Sequence, residues 1–207
     1  MLEFTVRRDG SSNFGPNNKW ATFPSLSAGW NLTNEPFMKS RPDFLGSLKL
    51  RASWGKNGNQ SIGQFKYTSM IAGNSNYLLG VEGSNKNVAG ATPNGYPNPN
   101  LKWEESEQTD IGLDGMLFNG ALTFSVDWYQ KKTNGMLMTM SLPQYIGNSR
   151  PVGNVGDMRN TGFEMDLQYK FVVSDANFKL GANASYLKNE LIKLGHDEGW
   201  ANYDTAM

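Results

Sequence analysis

Residues 101–133 read LKWEESEQTDIGLDGMLFNGALTFSVDWYQKKT, two runs of alternating polar and apolar side chains joined by Asn119-Gly120. On the first run Ile111, Leu113 and Leu117 fall to one side and Gln108, Asp110 and Asp114 to the other. On the second, Leu122, Phe124, Val126 and Trp128 oppose Thr123, Ser125 and Asp127. A period of two means strand, because successive side chains of an extended backbone point to opposite faces. Asn-Gly is the favoured pair for a two-residue type I′ turn, whose central positions both need positive φ. The stretch therefore predicts an antiparallel hairpin, with strands at 101–118 and 121–133 and one apolar face.

The same pattern recurs on both sides of the hairpin. In 2–9 Leu2, Phe4 and Val6 oppose Glu3, Thr5 and Arg7, and in 24–32 Leu26, Ala28, Trp30 and Leu32 oppose Ser25, Ser27 and Asn31. In 48–54 Leu48, Leu50, Ala52 and Trp54 oppose Lys49, Arg51 and Ser53. Further on, Phe163, Met165, Leu167, Tyr169 and Phe171 oppose Glu164, Asp166, Gln168 and Lys170, and Phe178, Leu180, Ala182, Ala184 and Tyr186 oppose Lys179, Asn183 and Ser185. Seven strands are predicted. Residues 10–21, 57–100 and 134–159 read as long loops, whereas 119–120 and 172–176 read as short turns. The link at 33–46 is longer than its place in this alternation suggests, and NEPFMKS offers one helical turn there.

Composition fits an all-β chain. The sequence holds 23 glycines, is 12% aromatic and only 38% hydrophobic, and so is unlike a helical bundle. Its 19 basic residues balance 19 acidic ones, which gives no electrostatic reason to expect nucleic acid as a partner. There is no cysteine, hence no disulfide and no thiolate metal site. No apolar run reaches the roughly 18 residues of a spanning helix. No export signal precedes LEFTVRRDG, so the chain is expected either to be cytosolic or to have lost its natural beginning.

A half-buried sheet in a soluble or cell-surface binding module, such as an adhesin, gives the same alternation. Strand length favours the membrane: segments of about ten or more residues exceed the usual five or six of soluble strands and match the 9–11 that span a bilayer on a tilt. Long loops at one end and short turns at the other are the asymmetry of outer-membrane barrels. Aromatic placement agrees. With Asn119-Gly120 at the periplasmic end, Trp54, Trp103, Trp128 and Tyr186 are expected near the outer interface, and Trp30, Phe118, Phe171 and Phe178 near the inner one.

Longer blocks carry a family resemblance. DGSSNFGPNNKWATFPSLSAGW at 9–30, NEPFMK at 34–39, LKLRASWGKNGNQSIG at 48–63, NPNLKWEESEQTDIGLDGMLFNGALTFSVDWYQKKTNGML at 98–137 and PVGNVGDMRNTGFEMDLQY at 151–169 closely resemble the SusC/RagA family of TonB-linked outer-membrane proteins of the Bacteroidetes. Residues 70–97 and the tail after 195 match poorly. The resemblance implies a plugged barrel of about 22 strands that imports oligosaccharides, peptides or similar nutrients. It also implies energy delivered through TonB and a SusD-like surface lipoprotein as lid. Residues 1–207 are then expected to be one partial barrel domain from the later part of such a protein, without plug, signal peptide or terminal strand. Seven strands alone would leave two open edges in lipid, where each unpaired backbone group costs several kcal/mol.

These expectations assign faces. Arg7, Lys49, Arg51, Asp110, Asp114, Asp127, Glu164, Asp166 and Lys170 are expected to face the lumen, without a substrate role for any one of them. Phe4, Leu26, Trp30, Leu50, Trp54, Leu113, Phe124, Trp128, Phe163, Leu167 and Leu180 are expected to face lipid, and lipopolysaccharide phosphates could meet Arg7-Arg8 and Lys131-Lys132 at the outer rim. Catalysis finds no support: a triad needs a positioned base, and the single histidine, His196, sits in a polar tail. Glu104, Glu105 and Glu107 diverge by alternation and do not form a glycosidase pair. Asp9-Gly10-Ser11-Ser12-Asn13 lacks the later glutamate of a calcium loop and reads as a turn. No cofactor or metal is expected.

Overall fold

The computed structural model of the chain describes residues 1–73, 75–80, 86–141 and 148–195. Strands β1 (Leu2–Gly10), β2 (Trp20–Asn31), β3 (Leu45–Asn59), β8 (Glu104–Leu117), β9 (Leu122–Thr139), β10 (Val152–Val173) and β11 (Ala176–Leu194) form one sheet in that order. Every neighbouring pair is antiparallel, so the sheet is an uninterrupted meander. Four short strands decorate the excursion between β3 and β8. There β4 (Met70–Gly73) pairs with β7 (Ala91–Asn94), and β5 (Tyr77–Leu79) pairs with β6 (Lys86–Val88).

The deciding hairpin forms in the expected register, from Glu105↔Asn134 to Leu117↔Leu122. Asn119 and Gly120 take φ of 54° and 89°, and Ala121 N–H donates to the Phe118 carbonyl at 3.1 Å. Phe118 also turns positive, at 54°, so the strand proper stops at Leu117.

Four connections differ from expectation, the first being 57–100, read as a loop, which carries the four short strands just described. The expected five-residue turn at 172–176 tightens to Ser174-Asp175, with Ser174 at φ 56°. The link at 33–46 carries two single 3₁₀ turns, Leu32–Asn34 and Pro36–Met38, rather than one helical turn. The supposed loop 134–159 is mostly strand. β9 runs on to Thr139 and β10 starts at Val152, with register shifts on β10 between Asn154 and Gly156 and between Gly156 and Met158. Gly135 takes φ 62° and donates its N–H to Asp157 Oδ1 at 2.8 Å, so bulges absorb the Gly-rich text that reads as a turn.

The apolar face has no covering layer. Strands contact their ladder neighbours and the adjoining 3₁₀ turns, and among the described residues no second sheet or helix lies on Phe124, Leu167 or Leu180. Phe4 is 67% exposed, Leu180 60% and Trp30 47%. The buried hydrophobic residues described are Phe14, Phe23, Leu101, Trp103 and Val155, far too few for a chain of 207 residues that folds around its own core.

That small core gathers at the long-loop end. Phe14 and Phe23 flank Trp103 with ring centroids 5.1 and 5.7 Å away, and Leu101 fills the space between them completely buried. Trp103 is thus a correction: it belongs to this core and not to an aromatic interface. Pro24 supplies the local reason. It has no N–H to give, and the β2–β3 ladder begins only at Ser25↔Gly55, which leaves Phe23 free to turn into the cluster.

Candidate functional site

Strand register settles which side chains share a face. Arg51 stands opposite Gly112, which is opposite Asp127, which is opposite Glu164, which is opposite Ser185. One row nearer the short turns, Lys49, Asp114, Ser125, Asp166 and Asn183 line up in the same way, and Asp110 lies on the same side opposite Ser53. Arg7, opposite Phe23, and Lys170, opposite Lys179, complete the polar face at its two ends.

Arg51 is the hub of this face. Its Nε and Nη2 donate to Asp114 at 2.7 and 2.9 Å, and Nη2 also reaches Asp127 Oδ1 at 2.8 Å and Ser125 Oγ at 3.2 Å. The Ser125 hydroxyl lies 3.0 Å from Asp114 and 2.9 Å from Asp127. With a single proton, it serves one carboxylate at a time. The guanidinium thereby ties β3, β8 and β9 together. It fits because position 112 is glycine: a methyl group there would fall 2.2 Å from Asp127 Oδ1 and 2.6 Å from Arg51 Nη2.

Of the residues expected on this face, Lys49, Arg51, Asp114 and Asp127 meet in one patch, with Asp110 beside it. Glu164 and Asp166 continue the patch as a carboxylate-rich groove with Ser125, Asn183 and Ser185. Asp127 and Glu164 are directly opposed carboxylates, and of the two it is Asp127 that the Arg51 guanidinium engages. Arg7 lies apart, over the Phe23 ring at 5.7 Å and paired with Asp9 at 2.9 Å. Lys170 lies apart as well, at the short-turn end facing Lys179.

The opposite face carries every residue expected to meet lipid. Phe4, Leu26 and Trp54 form one cross-strand row, Trp30, Leu50 and Leu113 another, Trp128 and Phe163 are paired, Phe124 opposes Leu167, and Leu180 opposes Tyr169. Here too a glycine makes room: a methyl on Gly115 would fall 2.2 Å from the Phe124 ring. Two of the indoles on this face have hydrogen-bond partners. Trp30 Nε1 donates to Glu35 at 2.8 Å and Trp54 Nε1 to Glu107 at 2.8 Å. At the short-turn end Tyr169, Phe171 and Phe178 stack at 5.5 and 5.3 Å. Beyond the aromatic row at the other end, Glu190 bridges Arg159 and Lys188.

The remaining candidates resolve simply. Glu104 accepts from Asn59 and from Leu137 N–H, whereas Glu107 takes Trp54 and Glu105 lies 3.8 Å from Lys56, so the three glutamates diverge. Asp9 and Gly10 are the last residues of β1, and in the turn that follows Asn13 N–H donates to Ser11 Oγ at 3.1 Å. His196 lies outside the described residues. Among the described residues no group of three or more His, Cys, Asp or Glu could hold a metal ion. Sequence reading missed the glycines at 112 and 115, the Ser125 hydroxyl and the aromatic core. The last had one visible signal: Phe23 falls on the polar side of the β2 alternation.

The family model for the TonB-dependent receptor-like β-barrel matches residues 1–205. TonB-dependent receptor P3 of Formosa agariphila is 40% identical over 195 residues, covering 94% of this chain and 19% of its own. TonB-dependent receptor SusC of Bacteroides thetaiotaomicron is 36% identical over 197 residues, with 94% and 19% covered. Among solved structures, the RagAB peptide importer in its closed-closed state matches with a TM-score of 0.81 at 32% identity, over 95% of this chain and 21% of that one. Its open-open state gives 0.79 at 33% identity, over 93% and 20%. The chain therefore spans about a fifth of the length of these relatives. An apolar face left uncovered among the described residues, long strands and these matches lead to one conclusion: the chain belongs to the SusC/RagA family of TonB-dependent receptors, and its sheet is a section of an outer-membrane β-barrel.

Proposed function

We propose that residues 1–207 are one partial barrel domain of an outer-membrane importer of oligosaccharides, peptides or similar nutrients. The observation that carries the reading is the division of the sheet into an apolar face on which no second sheet or helix lies among the described residues and a polar face organised around Arg51. In the complete barrel the apolar face meets lipid tails, with lipopolysaccharide at the outer rim, and the polar face lines the lumen. There Asp110, Glu164, Asp166, Lys49 and Lys170 contact the plug and border the route of the solute. Arg7 and the Arg51 network with Asp114 and Asp127 are wall elements of the same surface. Uptake is energised through TonB, with a SusD-like lipoprotein over the loop end.

The test is growth of the source organism on single glycans and on peptide digests, with the intact gene and with its in-frame deletion. Loss of growth on one of these nutrients, restored by the gene, is expected. Unchanged growth on all of them contradicts the importer reading.

A further inference from the structure

We propose that the Phe14–Phe23–Leu101–Trp103 cluster is a buttress that fixes the base of the excursion between β3 and β8, and that Phe14 and Trp103 are positioning residues for solute capture by the complete receptor. The capture part rests on the importer reading above; the buttress part rests on geometry alone.

Three connections converge on the cluster. From the β1–β2 loop come Phe14, 2% exposed, and the Lys19 carbonyl, which accepts from Trp103 Nε1 at 3.4 Å. From the excursion come Leu101, Trp103 and the partly buried Ile62. From the β9–β10 end come Leu137 and Val152. Hydrogen bonds fasten the same three segments. Asn13 Nδ2 donates to the Gln60 carbonyl, and Asn98 N–H closes the excursion on the Lys66 carbonyl while its side chain donates to the Val152 carbonyl at 2.9 Å. Asn154 accepts from Lys102 N–H at 3.0 Å and donates to the carbonyls of Lys102 and Gly135 at 2.9 and 2.8 Å. β3 is cut to fit as well: a methyl on Gly58 would fall 2.1 Å from the Phe23 ring.

Such a joint is over-determined for a surface loop. Loops need no buried core to leave a strand, and burying three aromatic side chains and a leucine at the foot of one removes the freedom that its hydrogen bonds alone would leave it. The β4–β7 ribbon rises from this foot and is tied to the third loop through Asn148, which accepts from Gly95 N–H at 2.9 Å and donates to the Pro93 carbonyl. The blocks that carry the family resemblance, 9–30, 98–137 and 151–169, supply most of the joint, whereas β4 and β7 belong to the poorly matching stretch. A fixed socket under a variable ribbon lets the ribbon change its chemistry without losing its place.

The experiment uses the full-length receptor in lipid vesicles, with spin labels at Thr92→Cys on β7 and Asp175→Cys in the β10–β11 turn; this section brings no cysteine of its own. Trp103→Ala is expected to widen the distance distribution about twofold, and Trp103→Phe to restore most of its width. In cells, with tryptic casein peptides and a glucan digest as probes, Trp103→Ala is expected to raise the half-saturation concentration about fivefold, with maximal uptake per assembled barrel within about twofold. Assembly is read by heat-dependent migration in gels. Should Trp103→Ala fail to assemble, Asn154→Ala, which keeps every ring, takes its place with the same expected direction. An unchanged distribution in the assembled variant overturns the buttress, and a widened one with unchanged half-saturation overturns the role in capture. Wild-type receptor that takes up neither probe counts against the importer reading and leaves the distance measurement to judge the buttress.

Discussion

Gly112 and Gly115 stand three residues apart on β8 and open to opposite faces of the sheet. The first receives the Arg51 guanidinium and the Asp127 carboxylate; the second receives the Phe124 ring. One strand thus makes the same concession twice, for a charged network on one side and for an aromatic ring on the other. In a soluble sandwich one of these faces would be dry and closed over. Among the described residues both stay open, and on the proposed importer reading what distinguishes them is the solvent each meets: lipid tails need only an apolar surface, whereas an aqueous wall tolerates charge.

The largest expected effect breaks that contrast by moving charge from one face to the other. In the full-length receptor, Leu167→Arg places a cation on the apolar face and is expected to cost about 2–4 kcal/mol, depending on depth. Folding into lipid vesicles, followed by urea titration, measures it. Asp166→Arg, one residue away on the polar face, should fold normally; equal losses at the two positions would mean that the faces are equivalent.

Next come the glycine slots. Gly112→Ala and Gly115→Ala each force a neighbour aside and are expected to cost about 1–3 kcal/mol. The partners should differ: Phe124→Ala relieves Gly115→Ala, and Arg51→Ala relieves Gly112→Ala, with no cross-rescue. Double-mutant cycles on unfolding midpoints read this directly.

Smaller still is the Arg51 hub itself. Its ion pairs are partly exposed, with side-chain accessibilities of 34% for Arg51, 37% for Asp114 and 23% for Asp127, so water screens them. Arg51→Met is expected to cost about 1 kcal/mol. Its coupling to Asp127→Asn should shrink as salt rises, whereas the Gly115–Phe124 coupling should not. The smallest change is Trp54→Phe, which removes the hydrogen bond to Glu107 for about 0.5–1.5 kcal/mol and leaves the ring at the interface.

How far the sequence alone reaches follows the same division. All seven long strands were legible, as were the membership of each face and the hairpin register, because period two repeats across each strand and Asn119-Gly120 pins one turn. The extra length of β9 and β10 was not legible. Asn134-Gly135 and Val152–Gly156 look like turn text, yet the Gly135 conformation and the bulges carry the ladder through them. Trp103 misled for a different reason: alternation cannot say whether an aromatic just outside a strand meets lipid or folds back on a loop, and its partners Phe14 and Phe23 are 89 and 80 residues earlier in sequence. The charged residues of the polar face were legible as a set. Their convergence on Arg51 was not, since cross-strand geometry depends on which residue between them is a glycine.

The most direct test of the central claim is a spin-label scan of residues 162–171 of β10 in the full-length receptor in a bilayer, reading collisions with oxygen, which concentrates in lipid, against a water-soluble nickel chelate. Oxygen accessibility should peak at Phe163, Met165, Leu167, Tyr169 and Phe171, with nickel accessibility favouring the positions between. An aqueous profile at the odd-numbered positions, or no alternation at all, would contradict the account.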